Sequence, residues 1–184
     1  DVGPDHHLDR KALLRRLTLM SAALVMASPV LAQTSAPGTS RARILAPVNL
    51  SVTQELNFGS IVPSTTRAST VRVNQNETVT LGGGAVRVGA THASSRQTGS
   101  GTRNAVIIIT RPPTIYLTGP GPRMRVRSWT LGTTSGLTRV TGNQYRITAV
   151  NGVFGFRLGA TLDVARNQPE GEYQGSYTVT VNYQ

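Results

Sequence analysis

Short runs in which apolar and polar residues alternate recur along the chain from residue 44 onward. The clearest run closes the sequence, where Tyr177, Val179, Val181 and Tyr183 alternate with polar residues. A period of two is typical of a β-strand with one buried face. The pattern therefore predicts a final strand that begins near Tyr173 and turns these four side chains into a core.

The segment Ile44–Val52 shows the same alternation. Its apolar side is formed by Ile44, Ala46, Val48, Leu50 and Val52. Pro47 lies within the segment and cannot donate a hydrogen bond to a central ladder, so an edge strand is predicted. Because a short polar linker precedes it, the segment is a candidate for strand exchange, in which it completes a neighbouring copy of the domain. Pairing within its own chain is the alternative.

Turn signals separate several further strands between these two ends. The segments 71–73 and 79–81 flank Asn74-Gln75-Asn76 and predict a hairpin. The continuous apolar run Ala105–Ile109 predicts a central strand buried on both faces. Residues 92–103 are polar and predict a loop, and the final strand is expected to pair with the opening strand and with the strand around Phe154–Leu162.

No segment has an apolar period of 3.6 residues over the length that a helix needs. Nine or ten short strands separated by turn signals instead predict an all-β protein, an antiparallel immunoglobulin-like β-sandwich. The pattern leaves the order of the strands between residues 85 and 130 open.

The first 32 residues follow a different pattern. The basic stretch RKALLRR precedes the apolar run LTLMSAALVMASPV, and Val30-Leu31-Ala32 supplies the small residues of a cleavage site. The apolar run is shorter than the ~20 residues that span a bilayer. We therefore expect residues 1–32 to be a signal peptide with upstream residues, 33–41 a linker, and 42–184 a β-sandwich domain. The mature form is expected to be exported, to the periplasm or the cell surface, without a transmembrane segment.

The predicted mature part, residues 33–184, is strongly basic. It contains fifteen arginines, no lysine and five acidic residues, which gives a net charge of +10. Arg123, Arg125 and Arg127 occupy one face of a predicted strand whose other face carries Met124 and Val126. Such a row is a candidate face for an anionic ligand. The alternative is the solvent-exposed face of a strand, where charges also oppose aggregation.

Residues that carry catalytic chemistry are scarce in the same part of the chain. It has no cysteine and one histidine, His92, in the predicted loop, so neither a thiolate nor a metal or cofactor site is expected. Glu170 and Glu172 flank a glycine turn and are expected to be solvated. Trp129, expected on the face of the arginines, is a candidate for stacking on a base or sugar. We expect no enzyme and, because the arginines are scattered, no nucleic-acid binding.

Two stretches resemble a known bacterial family. They are ARILAPVNLSVTQELNFGSIVP and FGFRLGATLDVARNQPEGEYQGSYTVTVNY, and they resemble the opening and the ending of the family known as domain of unknown function 4402. The resemblance spans Ala42–Tyr183 and is loose in the middle. More distantly, both ends are similar to chaperone–usher pilin subunits and to spore-coat U-type proteins, although the usual pilin disulfide is absent.

The resemblance implies an exported sandwich domain on the bacterial surface and carries no catalytic residues. We therefore expect a structural cell-surface protein, a pilin-like subunit or adhesin-type module that assembles by strand exchange. Its expected partners are further copies of the chain or a periplasmic chaperone. The alternative is a monomeric periplasmic module that binds an anionic ligand through the arginine row.

Overall fold

The computed structural model describes Pro37 and Thr39–Gln184, and Arg43–Gln184 forms one compact unit. The predicted signal peptide and most of the linker lie outside the described residues. In chain order the strands are β1 (Asn49–Gln54), β2 (Ser60–Val62), β3 (Ser69–Val73), β4 (Val79–Gly82), β5 (Val86–Val88), β6 (Ser95–Ser100), β7 (Val106–Thr110), β8 (Ile115–Leu117), β9 (Met124–Ser135), β10 (Leu137–Thr141), β11 (Gln144–Ile147), β12 (Val153–Val164) and β13 (Thr180–Tyr183). The described part contains no helix, and its strand pairs are antiparallel, which confirms the all-β antiparallel prediction.

The long strand β12 is the centre of a seven-stranded sheet. On one side it pairs first with β6 and then with β3, and on the other side it pairs with β9. β1, β4 and β8 continue this first sheet beyond β6, β3 and β9, respectively. The second sheet has the order β10-β11-β7-β13, and β2 and β5 form a separate two-stranded ribbon.

The core lies between the inward faces of the two sheets. Phe154, Phe156 and Leu158 of β12 are fully buried, as are Ile107 of β7 and Ile147 of β11. Burial of each such side chain stabilises the fold by about 1.5–3 kcal/mol relative to exposure. The alternation that predicted these strands therefore reports the side of each strand that meets the opposite sheet.

One sequence prediction of local structure is confirmed, and a second is confirmed in part. β3 and β4 pair as a hairpin around Asn74, whose N–H donates to the carbonyl of Thr78 at 2.9 Å. β7 is a central strand, since it lies between β11 and β13. Its inward residues Ile107 and Ile109 are buried, whereas Val106 and Ile108 on the outward side are only partly buried, so the expected burial on both faces is incomplete.

The predicted loop 92–103 is wrong. Ser95–Ser100 forms β6, which lies between β1 and β12 and turns Ser95 and Gln97 into the interior. The inward positions of β6 are occupied by polar residues or by glycine, so the segment lacks the apolar alternation that marks a strand. Gly99 is required there, because a Cβ would lie 2.5 Å from the ring of Phe154 on the adjacent strand.

The extents of the opening and closing strands also differ from the prediction. β1 begins at Asn49 rather than Ile44, and Ile44 is 96% exposed. The closing strand begins at Thr180, and it pairs with β7 rather than with the opening strand or with β12. The predicted neighbours are wrong because β1 and β12 belong to the opposite sheet.

The predicted orientation of Trp129 is wrong as well. Ser128 has a φ of 54°, and Arg127 and Thr130 pair with residues that are only two apart on β12. One extra residue in β9 therefore forms a β-bulge, which reverses the side to which the following residue points. Trp129 is 7% exposed, and its Nε1 donates to the carbonyl of Pro113 at 2.9 Å.

Candidate functional site

One flank of the molecule combines a free strand edge with uncovered apolar residues. Within the described residues, β13 pairs with β7 alone, so its other edge has no ladder partner. Val52 of β1 lies opposite the buried Gln97 and therefore points inward, yet it is 55% exposed. The second sheet thus does not cover β1 there. We call the free edge of β13 and the inward side of β1 the open flank.

Tyr183 joins the two parts of the open flank. Its Oη donates to the carbonyl of Ala46 and accepts from the N–H of Thr102, both at 2.7 Å. Ala46 lies three residues before β1, and Thr102 lies two residues after β6. The end of β13 is therefore fixed beside the segment that leads into β1.

The backbone groups that face outward on β13 can be assigned. The N–H of Gln184 donates to the carbonyl of Val106 at 3.0 Å. Because successive residues of a strand direct their backbone groups to opposite sides, Asn182 also faces β7. The N–H and C=O groups of Val181 and Tyr183 therefore face the open flank, where an added strand would meet them.

The predicted inward row of the closing segment is only partly buried. Tyr177, Val179, Val181 and Tyr183 alternate with exposed residues, and all four pack against the core. Among the described residues, 175–179 make no backbone–backbone hydrogen bond, although Tyr177 is anchored. Its Oη donates to Ser95 Oγ at 2.6 Å, and its ring lies 4.9 Å from that of Trp129. The row continues the open flank beyond the paired part of β13.

The predicted exchange segment pairs with β6 in its own chain, but its apolar side is only partly buried. Val48 and Leu50 are partly buried, whereas Ile44, Ala46 and Val52 are exposed. The alternating apolar side of the segment is therefore buried only in part in this chain. The segment 49–54 forms an edge strand on β6 that contributes little apolar burial.

A buried polar pair beside the open flank escaped the sequence analysis. Gln97 is 1% exposed, and its Nε2 donates to Ser95 Oγ at 2.8 Å. Its Oε1 has no hydrogen-bond partner among the described residues. Only the three-dimensional neighbours of Gln97 show that this side chain is buried, because the surrounding sequence is polar.

The arginine row carries its own counter-ion. Arg125 Nη2 and Arg127 Nε lie 2.7 and 2.9 Å from Asp163 Oδ2 on the neighbouring strand β12. Burial by itself would raise the pKa of the Asp163 carboxyl, but the hydrogen bonds from Arg127 and Arg125 hold it below its ordinary value. Arg123 instead lies over the ring of Tyr116, with Cζ 5.2 Å from the ring centroid.

A groove of about 490 Å³ runs beside this row on the outer face of the first sheet. We call it the arginine groove. Its lining includes Arg123, Arg125, Arg127 and Asp163. The remaining wall is built from small residues of the segments 68–70, 82–83 and 164–165.

Acidification is expected to remove the ion pairs of Asp163. Because its folded-state pKa is lowered, their contribution is complete above the ordinary value of about 3.9 and disappears as the pH falls through the folded-state pKa. The difference in thermal midpoint between wild type and Asp163→Asn should therefore be constant from about pH 7 to 5 and vanish at lower pH. Glu55→Gln, at an exposed residue, is the control. A difference that persists at the lowest pH would contradict the assignment.

The other candidate residues have structural surroundings. His92 Nε2 lies 2.8 Å from the carbonyl of Glu77, and its Nδ1 faces Arg87. Glu170 and Glu172 are exposed, as expected. In the part of the chain that the structure describes, no group of three metal-ligating side chains occurs, and no helix is long and apolar enough to cross a membrane.

These features define an all-β domain in which the outer edge of β13 is unpaired within the described residues. A family model described as domain of unknown function (DUF4402) matches residues 48–183, and the chain belongs to this family. No curated protein and no solved structure shows significant similarity to the chain.

Proposed function

We propose that this chain is an exported structural protein of the bacterial cell surface, a pilin-like subunit or adhesin-type module with an immunoglobulin-like sandwich. In this proposal it assembles by strand exchange, and further copies or a periplasmic chaperone are its partners. The open flank is the observation that carries the proposal. A strand with unpaired backbone groups beside uncovered apolar residues is the surface that β-augmentation uses.

The opening segment of a neighbouring copy is the proposed occupant of the open flank. In its own chain this segment leaves Ile44 96% and Val52 55% exposed, so these two side chains lose little burial when it departs from β6. If the segment pairs with β13, its apolar residues would lie on the same face of the sheet as the half-buried Val179 and Val181. Elements with few buried contacts open at low free-energy cost, which favours exchange.

Substitution of the two exposed residues tests this proposal. Ile44→Ser with Val52→Ser should change the stability of the monomer by no more than about 0.5 kcal/mol, because both side chains are largely exposed. Self-association, measured by light scattering against concentration, should be lost, since the apolar row of the donated segment is removed.

The matched control is Val140→Ser with Val150→Ser, which removes two other exposed apolar side chains, 49% and 80% exposed. The control should associate like wild type. Equal association of both double variants, or a wild-type protein that stays monomeric, would contradict strand exchange through the opening segment.

A further inference from the structure

The outer face of the first sheet gathers positive charge on one side of the molecule. Arg125 and Arg127 of β9 project from this face, together with Arg72 of β3 and with Arg123 where it lies over Tyr116. Asp163 is the one acidic residue that lines the arginine groove. Among the described residues that line the groove, three arginines and one carboxylate leave a net charge of +2, and the opposite wall contributes no acidic residue.

Two of these guanidinium groups are already oriented for carboxylate binding. Asp163 accepts from Arg125 Nε at 2.7 Å and from Arg127 Nε at 2.9 Å. Arginine pairs with carboxylates in a planar fork, and part of each fork remains available when one edge is occupied. Asp163 occupies one edge of each guanidinium group, so a second carboxylate meets the remaining N–H donors.

The shape of the groove favours a chain of anionic groups. Side chains on one face of a strand lie ~6.6 Å apart, so the row presents successive cations along its length. The small residues of the opposite wall leave this row accessible from one side. Base stacking, by contrast, has no platform here, since Trp129 is 7% exposed and the ring of Tyr116 is engaged by Arg123.

We propose that the arginine groove binds the carboxylate groups of an acidic polysaccharide. The site is separate from the open flank and does not depend on strand exchange. Recognition rests on charge and on arginine–carboxylate geometry rather than on aromatic stacking. Within the groove, Asp163 competes with the ligand for the same guanidinium groups.

Binding of polygalacturonate near physiological salt tests the site. Arg123→Ser with Arg125→Ser should weaken binding about tenfold or more, since two of the groove's cations are removed. The matched control is Arg139→Ser with Arg146→Ser, which changes two exposed arginines of the second sheet. This control should bind within about twofold of wild type.

Asp163→Asn is expected to change the affinity for polygalacturonate in the opposite direction to the arginine variants. Misfolding would not produce such an increase in affinity. Removal of the competing carboxylate should tighten polygalacturonate binding several-fold. Equal losses in the two arginine double variants would show non-specific attraction to net charge and would overturn the proposal. An unchanged affinity of Asp163→Asn, or tighter binding of single-stranded DNA than of polygalacturonate, would overturn it as well.

Discussion

Replacing Tyr183 with alanine is expected to lower the free energy of unfolding by about 3 kcal/mol. The ring packs against the core, and its hydroxyl bonds to both Ala46 and Thr102. Loss of the ring removes apolar burial, and loss of the hydroxyl leaves the Thr102 N–H without this partner, which accounts for about 1 kcal/mol of the total. Chemical denaturation of wild type and variant measures the difference.

Tyr183→Phe separates the two contributions. It keeps the ring and removes only the hydroxyl, so the expected loss is about 1 kcal/mol. If Tyr183→Ala left the free energy of unfolding unchanged, the side chain would have no structural role in joining the second sheet to the opening segment.

Proline at position 182 is expected to destabilise the domain by about 1–3 kcal/mol, because a carbonyl of β7 loses its hydrogen-bond donor. The Asn182 N–H faces β7, and proline lacks this donor, so one bond of the ladder between β13 and β7 is lost. The neighbouring Val181 N–H faces the open flank. Val181→Pro should therefore unfold at nearly the same denaturant concentration as Val181→Ala. The alanine variant is the control, because it also loses the valine methyl groups but keeps the backbone N–H.

This pair of substitutions tests the assignment of the two edges. Equal destabilisation by proline at positions 181 and 182, after correction with Val181→Ala and Asn182→Ala, would show that both edges of β13 are paired. Thermal or chemical unfolding of the four variants is sufficient for the comparison.

The period-two pattern predicted the parts of this fold in which one strand face meets the core. It located the hairpin of β3 and β4 and the central strand β7, because valine and isoleucine occupy their inward positions. It failed for β6, whose inward residues Ser95 and Gln97 are polar. Their burial depends on Tyr177 and on neighbouring strands that are distant in sequence, so no local pattern reports it.

The candidate sites depended even more on tertiary structure. The arginine row was visible in the sequence, but its partner Asp163 lies on another strand that only the sheet order brings alongside. A single residue, Ser128, with a left-handed φ moved Trp129 from the arginine face into the core. The open flank likewise required the strand order, since the sequence placed the closing strand beside β1 and β12.

In the proposed assembly, the free edge of β13 accepts a strand from another molecule. Sedimentation velocity of wild type, Val181→Ala and Val181→Pro over a concentration series up to about 1 mM tests it most directly. Val179→Pro with Val179→Ala repeats the comparison at a residue that precedes the ladder with β7. Wild type and both alanine variants should associate with increasing concentration, whereas both folded proline variants should remain monomeric. Association of the proline variants to the same extent as their alanine controls, or a wild-type protein that is monomeric throughout, would contradict it.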